Sequence, residues 1–124
     1  MAIKVGERVP SVTLMHMTKE GPQPIGTEAL FAGKRVVLFG LPGAFTPTCS
    51  AAHLPGFVVK SDEILAKGVD RIVCVSVNDA FVMDAWGKAH NAGDKVAMMA
   101  DGSGDFARAL GLELDLRARG MGIS

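Results

Sequence analysis

The fold is decided by one stretch, RVVLFGLPGAFTPTCS at residues 35–50, where an apolar run leads through a Gly/Pro loop into a helix start. The uninterrupted apolar run at 36–39 predicts a strand that is buried on both faces. Thr46 suits the N-cap of the following helix, and Pro47 suits its first position, where a missing N–H costs nothing. Cys49 then falls in the first helical turn, where unpaired backbone N–H groups and the helix dipole favour an anion. The stretch therefore predicts a cysteine that loses its proton more easily than a free thiol.

Strand and helix patterns alternate along the rest of the chain. We predict a short strand over 12–17, a turn or hairpin tip over 18–27, a helix over 46–67 with a kink or break at Pro55-Gly56, a strand over 71–77, a helix from Ala80 to Ala89 capped by Asn78 or Asp79, a strand over 95–100 and a short helix over 105–110 that stops at Gly111. This alternation indicates right-handed crossovers and a mostly parallel central sheet with flanking helices. In such α/β sheets the functional site lies beyond the carboxyl ends of the strands, which is where Cys49 falls.

Length and composition narrow the possible functions. The 124 residues fit one domain spanning 1–124, and 13 basic residues balance 13 acidic ones. Without a basic excess, we expect neither nucleic acid nor an anionic membrane surface as a partner. No apolar run reaches the roughly 20 residues of a membrane span, and the N-terminus lacks an apolar signal core. Two cysteines do not make a disulfide framework, so a cytoplasmic location is expected.

Several separate motifs carry a resemblance to a known family. The pattern Pro42-x-x-x-Thr46-x-x-Cys49 resembles the active-site signature of the peroxiredoxins. The longer stretch 42–50 is similar to the type II (peroxiredoxin-5-like) branch, as are residues 54–57, 74–86 and 100–106. The resemblance implies a thioredoxin-like α/β fold in a single redoxin domain. It also implies a thiol-dependent peroxidase that reduces hydrogen peroxide and alkyl hydroperoxides.

The same resemblance implies roles for individual residues. Cys49 would be the peroxidatic cysteine, whose thiolate attacks a peroxide oxygen and becomes a sulfenic acid. Thr46 would hydrogen-bond the thiolate and the peroxide through its hydroxyl, and Pro42 would pack over the site and exclude water. Backbone N–H groups near Cys49 would stabilise the charge as it moves from sulfur to oxygen. We expect neither a cofactor nor a metal ion to take part.

Cys74 has two possible roles. In part of the type II branch a cysteine at this place is a proposed resolving thiol, which would attack the sulfenic acid to form a disulfide. Cys74 also lies inside the apolar run 71–77, where a cysteine is more often packed and unreactive. If Cys74 does not resolve the sulfenic acid, glutathione, glutaredoxin or thioredoxin must supply the second thiol.

His53 follows Cys49 by four positions and raises a different alternative. A Cys/His pair could serve a cysteine hydrolase or provide two metal ligands. A base four residues along the helix would, however, lie behind the helix start, and no third ligand is evident in the sequence. We therefore expect His53 to be a solvated or capping histidine.

Type II members run further at the C-terminus, which makes the domain incomplete there by comparison. The resemblance places a final hairpin, a closing helix and an active-site arginine beyond Ser124, so we expect a fragment or a shortened variant. Arg117 and Arg119 precede the place of that arginine and are not expected to replace it. The alternative function is a catalytically weak or silent binding or assembly module. We also expect a homodimer, because dimers in this family form through the loops that flank the active site.

Overall fold

The computed structural model describes residues 2–47, 49–93 and 95–124. Its strands are β1 (Thr13–Thr18), β2 (Gly21–Gly26), β3 (Val36–Leu41), β4 (Arg71–Ser76) and β5 (Ala97–Ala100). Its α-helices are α1 (Thr27–Phe31), α2 (Leu54–Val59), α3 (Ser61–Ala66), α4 (Ala80–Ala89) and α5 (Asp105–Leu110), with a π-helical turn at Cys49–His53 and a 3₁₀ turn at Arg117–Arg119. Among the helices in these ranges, none combines the length and the apolar character that crossing a bilayer requires.

The five strands form one sheet in the order β2-β1-β5-β4-β3. β3, β4 and β5 are parallel, whereas β1 runs antiparallel to both β5 and β2. The parallel strands β3, β4 and β5 agree with the predicted parallel central sheet, and the β1–β2 hairpin at one edge makes the whole sheet mixed. Residues 18–27, predicted as a turn or hairpin tip, contain the whole of β2, the second strand of the hairpin. Pro22 and Pro24 obscured this strand in the sequence, but an edge strand tolerates prolines because one side of its backbone needs no sheet partner.

Apolar side chains are buried on both faces of the sheet. Along β4, Ile72 and Cys74 join the cluster packed against α2 and α4, while Val73 and Val75 join the cluster that contains Phe106 of α5. All four of these side chains are buried. A central strand with two covered faces requires this alternation. It explains why the uninterrupted apolar run over 71–77 predicted a buried strand correctly.

The helical segment after the Gly/Pro loop differs from the prediction. The predicted kink or break at Pro55-Gly56 lies beside an observed boundary, because the π-helical turn Cys49–His53 gives way to α2 at Leu54. Pro55 lies in the first turn of α2, where its missing N–H needs no partner. A second break, which the sequence did not predict, comes at Lys60, with φ −97° and ψ 9°, between α2 and α3. There the buried hydroxyl of Ser61 donates to the carbonyl of Val58 at 2.9 Å, a local bond that competes with a continuous helix.

The two later helices follow the prediction. α4 spans Ala80–Ala89, and the Asp79 carboxylate accepts a hydrogen bond from the Val82 N–H at 2.8 Å as its N-cap. α5 spans Asp105–Leu110 and ends at Gly111, whose φ of 72° lies in the left-handed region that glycine enters without strain. Local capping signals were therefore sufficient to place both helices.

Candidate active site around Cys49

Cys49 lies beyond the carboxyl end of β3, in the π-helical turn that opens the helical segment. The last pair in the register of β3 with the parallel strand β4 is Leu41 with Ser76, so both strands end at the same edge of the sheet. Cys49 is buried, with 6% of its surface exposed. The predicted position of Cys49, at the start of a helix past a strand end, agrees with the structure.

The loop between β3 and Cys49 is tightly packed. Phe45 has a φ of 63°, an unusual value for a bulky residue. A Cβ added to Gly43 would lie 3.3 Å from the Thr46 Cγ2 and 3.4 Å from the Met121 Cε. The loop therefore has little room for a side chain at Gly43, and the C-terminal segment lies directly against it.

Thr46 begins the helical segment, and its hydroxyl is bound to the backbone of the preceding loop. Its carbonyl accepts a hydrogen bond from the Ser50 N–H at 2.9 Å, as the carbonyl of an N-cap residue does. Its Oγ1, however, donates to the Gly43 carbonyl at 2.7 Å. A hydroxyl has one proton and two lone pairs, so the proton that Thr46 was expected to donate to the Cys49 thiolate is donated to the Gly43 carbonyl.

Two polar residues at the end of β4 hold the same loop, and sequence reasoning did not assign them to the site. The Asn78 Oδ1 accepts hydrogen bonds from the Ala44 N–H at 3.0 Å and from the Ser76 hydroxyl at 2.7 Å. The Ser76 hydroxyl also lies 3.2 Å from the Leu41 carbonyl. These bonds tie the loop to the end of the neighbouring strand. The available signal was their position at the end of a buried strand (Ser76) and just after it (Asn78), at the edge of the sheet where Cys49 was expected.

Pro42 is exposed in the structure. It lines an apolar cavity of about 280 Å³, together with Leu41, Phe106 and Leu110. Cys49 is not among the residues that line this cavity. The structure thus places Pro42 in the loop that leads to Cys49 and against a cavity beside α5.

Cys74 is fully buried in the middle of β4, where its register partners are Phe39 and Met98. Burial raises the pKa of the Cys74 thiol from 9.0 to about 12, and the nearby negative charge of Cys49 adds to this rise. Neither cysteine forms a disulfide. In this conformation Cys74 stays a neutral thiol at physiological pH, which makes it a poor nucleophile.

We expect this buried thiol to make the protein less stable in base. The pKa of the Cys74 thiol is 9.0 in the unfolded state and about 12 in the folded state. Below pH 9 the thiol is neutral in both states, and the folded protein keeps its full stability. As pH rises from 9 toward 12, only the unfolded state loses this proton, which favours unfolding. The free energy of unfolding, measured by urea titration, should therefore fall more steeply above pH 9 in the wild type than in Cys74→Ala. The extra slope approaches about 1.4 kcal/mol per pH unit. Parallel pH profiles for the two proteins would contradict the assignment.

His53 is half-buried and packs against aromatic rings, and its side chain makes no capping hydrogen bond to α2. Its ring centroid lies 5.1 Å from that of Phe39 and 5.9 Å from that of Phe57, and those two phenyl rings stack at 4.0 Å. Within residues 2–47, 49–93 and 95–124, no three His, Cys, Asp or Glu side chains come together in a way that could hold a metal ion. The observed contacts of His53 are those of a packing residue.

The guanidinium of Arg117 is bound to a neighbour on the surface. It donates from Nε to the Asp115 Oδ1 at 3.0 Å and from Nη2 to the Asp115 Oδ2 at 2.7 Å. These bonds hold the pKa of the Asp115 carboxyl below its usual range. The expectation that Arg117 does not serve Cys49 therefore agrees with the contacts that it makes.

Comparison with known proteins identifies close relatives of the chain. The family model described as Redoxin matches residues 4–123. Peroxiredoxin-2D of Arabidopsis thaliana is 50% identical over 122 residues, which cover 98% of this chain and 75% of that protein. The structure of reduced Prx3 from Vibrio vulnificus in complex with H₂O₂ superimposes with a TM-score of 0.93 at 55% identity, covering 98% of this chain and 75% of the other. A Burkholderia cenocepacia structure described as a putative thioredoxin reductase superimposes with a TM-score of 0.96 at 52% identity, covering 99% and 77%.

Proposed function

Because this chain belongs to the Redoxin family and is a type II peroxiredoxin, we propose that Cys49 is the cysteine that attacks the peroxide. The predicted thioredoxin-like fold and the predicted activity, a thiol-dependent peroxidase acting on hydrogen peroxide and alkyl hydroperoxides, are confirmed by these relatives. The relatives do not favour the alternative of a silent binding module. One observation carries the choice of cysteine: Cys49 begins the helical segment past the strand ends, whereas Cys74 is fully buried inside β4.

The proposed reaction is a two-electron oxidation of sulfur. The Cys49 thiolate forms a bond from Sγ to one peroxide oxygen, and the O–O bond breaks. The other oxygen leaves with the bonding pair and, after protonation, becomes water or an alcohol. Sulfur is left as a sulfenic acid, and the peroxide is reduced by the same two electrons. Because Cys49 is buried to 6% exposure, little bulk water competes for the hydrogen bonds around the sulfur.

Thr46 and Pro42 have different proposed roles in this reaction. Since the Thr46 hydroxyl gives its proton to Gly43, its lone pairs are suited to accept a hydrogen bond from the peroxide O–H. That bond would orient the oxygen that Cys49 attacks. Pro42 lines a cavity that does not include Cys49, so we propose a narrower role for it than covering the site. Its ring fixes the backbone angle φ and so stiffens the loop before Cys49.

The family implies a peroxide substrate and a thioredoxin-type reductant, and we propose that the resolving thiol is external. Glutathione, glutaredoxin and thioredoxin are the candidates. The support is the burial of Cys74 and its pKa of about 12, which leave it mostly protonated at neutral pH. An attack by Cys74 on the Cys49 sulfenic acid would have to come from a thiol that is fully buried in the middle of β4.

We therefore expect Cys74→Ser to retain peroxidase turnover. Peroxide consumption measured with glutathione and glutaredoxin, and separately with thioredoxin, should stay within about threefold of the wild type with at least one donor, because a buried thiol contributes little thiolate. If the variant still oxidises in a first turnover but fails to turn over with every donor, Cys74 is the resolving cysteine and this proposal is wrong.

We further propose that the protein is a homodimer. The support is Phe45, a large apolar side chain in the loop before Cys49 that is 55% exposed. Size-exclusion chromatography with light scattering, at several protein concentrations, should show a dimer. Phe45→Ser should shift that equilibrium toward the monomer, and a monomer at the highest concentration of the wild type would remove the proposal.

A further inference from the structure

Trp86 makes a partly buried hydrogen bond to the residue that follows Cys49. Its side chain is fully buried, and its indole Nε1–H donates to the Ser50 Oγ at 3.0 Å. A buried indole N–H needs a partner, because leaving it unpaired is costly. The bond therefore links α4 to the π-helical turn at Cys49–His53.

The same indole also contacts the residues before Cys49. The ring of Phe45 lies 6.4 Å from that of Trp86 at an angle of 50°. Phe45 has a left-handed φ of 63°, which a bulky residue adopts only where its surroundings hold it there. Trp86 thus touches the chain four residues before Cys49 and one residue after it.

Trp86 is itself held against the sheet. α4 packs on β1 and β5, and a Cβ added at Gly87 would lie 2.8 Å from the Met98 Cγ. That close approach is possible only because residue 87, next to Trp86, is glycine. Through Trp86, the π-helical turn at Cys49 is therefore joined to a helix that packs on the sheet.

We propose that Trp86, acting through the Ser50 hydroxyl, is a positioning residue for Cys49. This inference rests on the proposed role of Cys49. Attack on a peroxide requires the sulfur and the two oxygens to be nearly in line. A small displacement of a reacting group therefore lowers the reaction rate considerably. π-helical turns are rare and occur frequently at functional sites, and the indole–hydroxyl bond joins this one to α4. Trp86 does not touch the peroxide in this scheme.

The test compares two reactions of the Cys49 sulfur in Ser50→Ala and in the conservative control Ser50→Thr. The first is single-turnover oxidation by hydrogen peroxide, which depends on geometry. The second is alkylation by iodoacetamide, which depends on thiolate content and access. We expect Ser50→Ala to slow oxidation by about 10-fold while alkylation changes by less than about twofold. Ser50→Thr keeps the hydroxyl and should restore oxidation to within about threefold of the wild type.

Trp86→Phe provides a second, independent variant, because it removes the N–H and keeps an aromatic ring. If the two residues act through one bond, Ser50→Ala combined with Trp86→Phe should be no slower than the slower single variant. Trp86 is the one tryptophan of the sequence, so its fluorescence reports this site alone. The emission of Ser50→Ala should differ from that of the wild type, and the emission of Ser50→Thr should not.

The outcomes separate this inference from the proposed function. A wild-type protein whose Cys49 fails to react with peroxide overturns the proposed function, and the inference with it. A reactive wild type with an equally fast Ser50→Ala variant overturns the inference alone. Equal slowing of oxidation and alkylation also overturns it, because the effect would then lie in access or ionisation of the thiol. Additive losses in the double variant would show that the two residues act separately.

Discussion

Cys49→Ser should abolish peroxide consumption with every reductant. A serine hydroxyl does not ionise at neutral pH and cannot form a sulfenic acid, so the covalent step has no nucleophile. We expect kcat/KM for hydrogen peroxide to fall by at least about 10³-fold, as happens when the nucleophile of a covalent mechanism is removed. The measurement is peroxide loss in the presence of glutathione with glutaredoxin or of thioredoxin.

Cys49→Ser differs from the wild type by one atom, so the fold should survive and circular dichroism should be unchanged. Cys74→Ser is the matched control, because it makes the same exchange at the buried cysteine of β4. If Cys49→Ser kept its activity while Cys74→Ser lost it, the roles of the two cysteines would have to be exchanged.

Thr46→Val should cause the second largest loss. Valine has nearly the shape of threonine but cannot accept a hydrogen bond from the peroxide or donate to the Gly43 carbonyl at 2.7 Å. Losing one such oriented polar group costs about 10²–10³ in rate, and we expect a fall of this size in the single-turnover rate with hydrogen peroxide. Thr46→Ser keeps the hydroxyl and should remain within about 10-fold of the wild type. A rate for Thr46→Val within threefold of the wild type would remove Thr46 from the mechanism.

The fold was predictable where a segment's own residues determine its structure. The apolar runs of β3 and β4 and the Asp79 cap of α4 are local signals, and each corresponds to an element in the structure. β2 was missed because its strand character depends on pairing with β1 at an edge, where Pro22 and Pro24 are tolerated. The break at Lys60 was missed because it depends on a buried bond of the Ser61 hydroxyl rather than on Pro55.

The candidate site was predictable only in part for the same reason. Cys49 was found from the pattern of its own loop, and the apolar neighbours of Cys74 already favoured an unreactive thiol. The contacts that hold the Cys49 loop join distant parts of the chain. Asn78 binds the N–H of Ala44 across 34 positions, and Trp86 binds Ser50 across 36. Such pairs follow from the parallel register of β3 with β4 and from the packing of α4, which local patterns do not reveal.

The most direct test of the account is to identify the oxidised sulfur. Reduced protein is treated with one equivalent of hydrogen peroxide in the presence of dimedone, which reacts with sulfenic acids, and the modified peptide is mapped by mass spectrometry. We predict a dimedone adduct on Cys49, formed equally in Cys74→Ser and missing in Cys49→Ser. An adduct on Cys74 instead, or peroxide consumption by Cys49→Ser at the wild-type rate, would contradict the account.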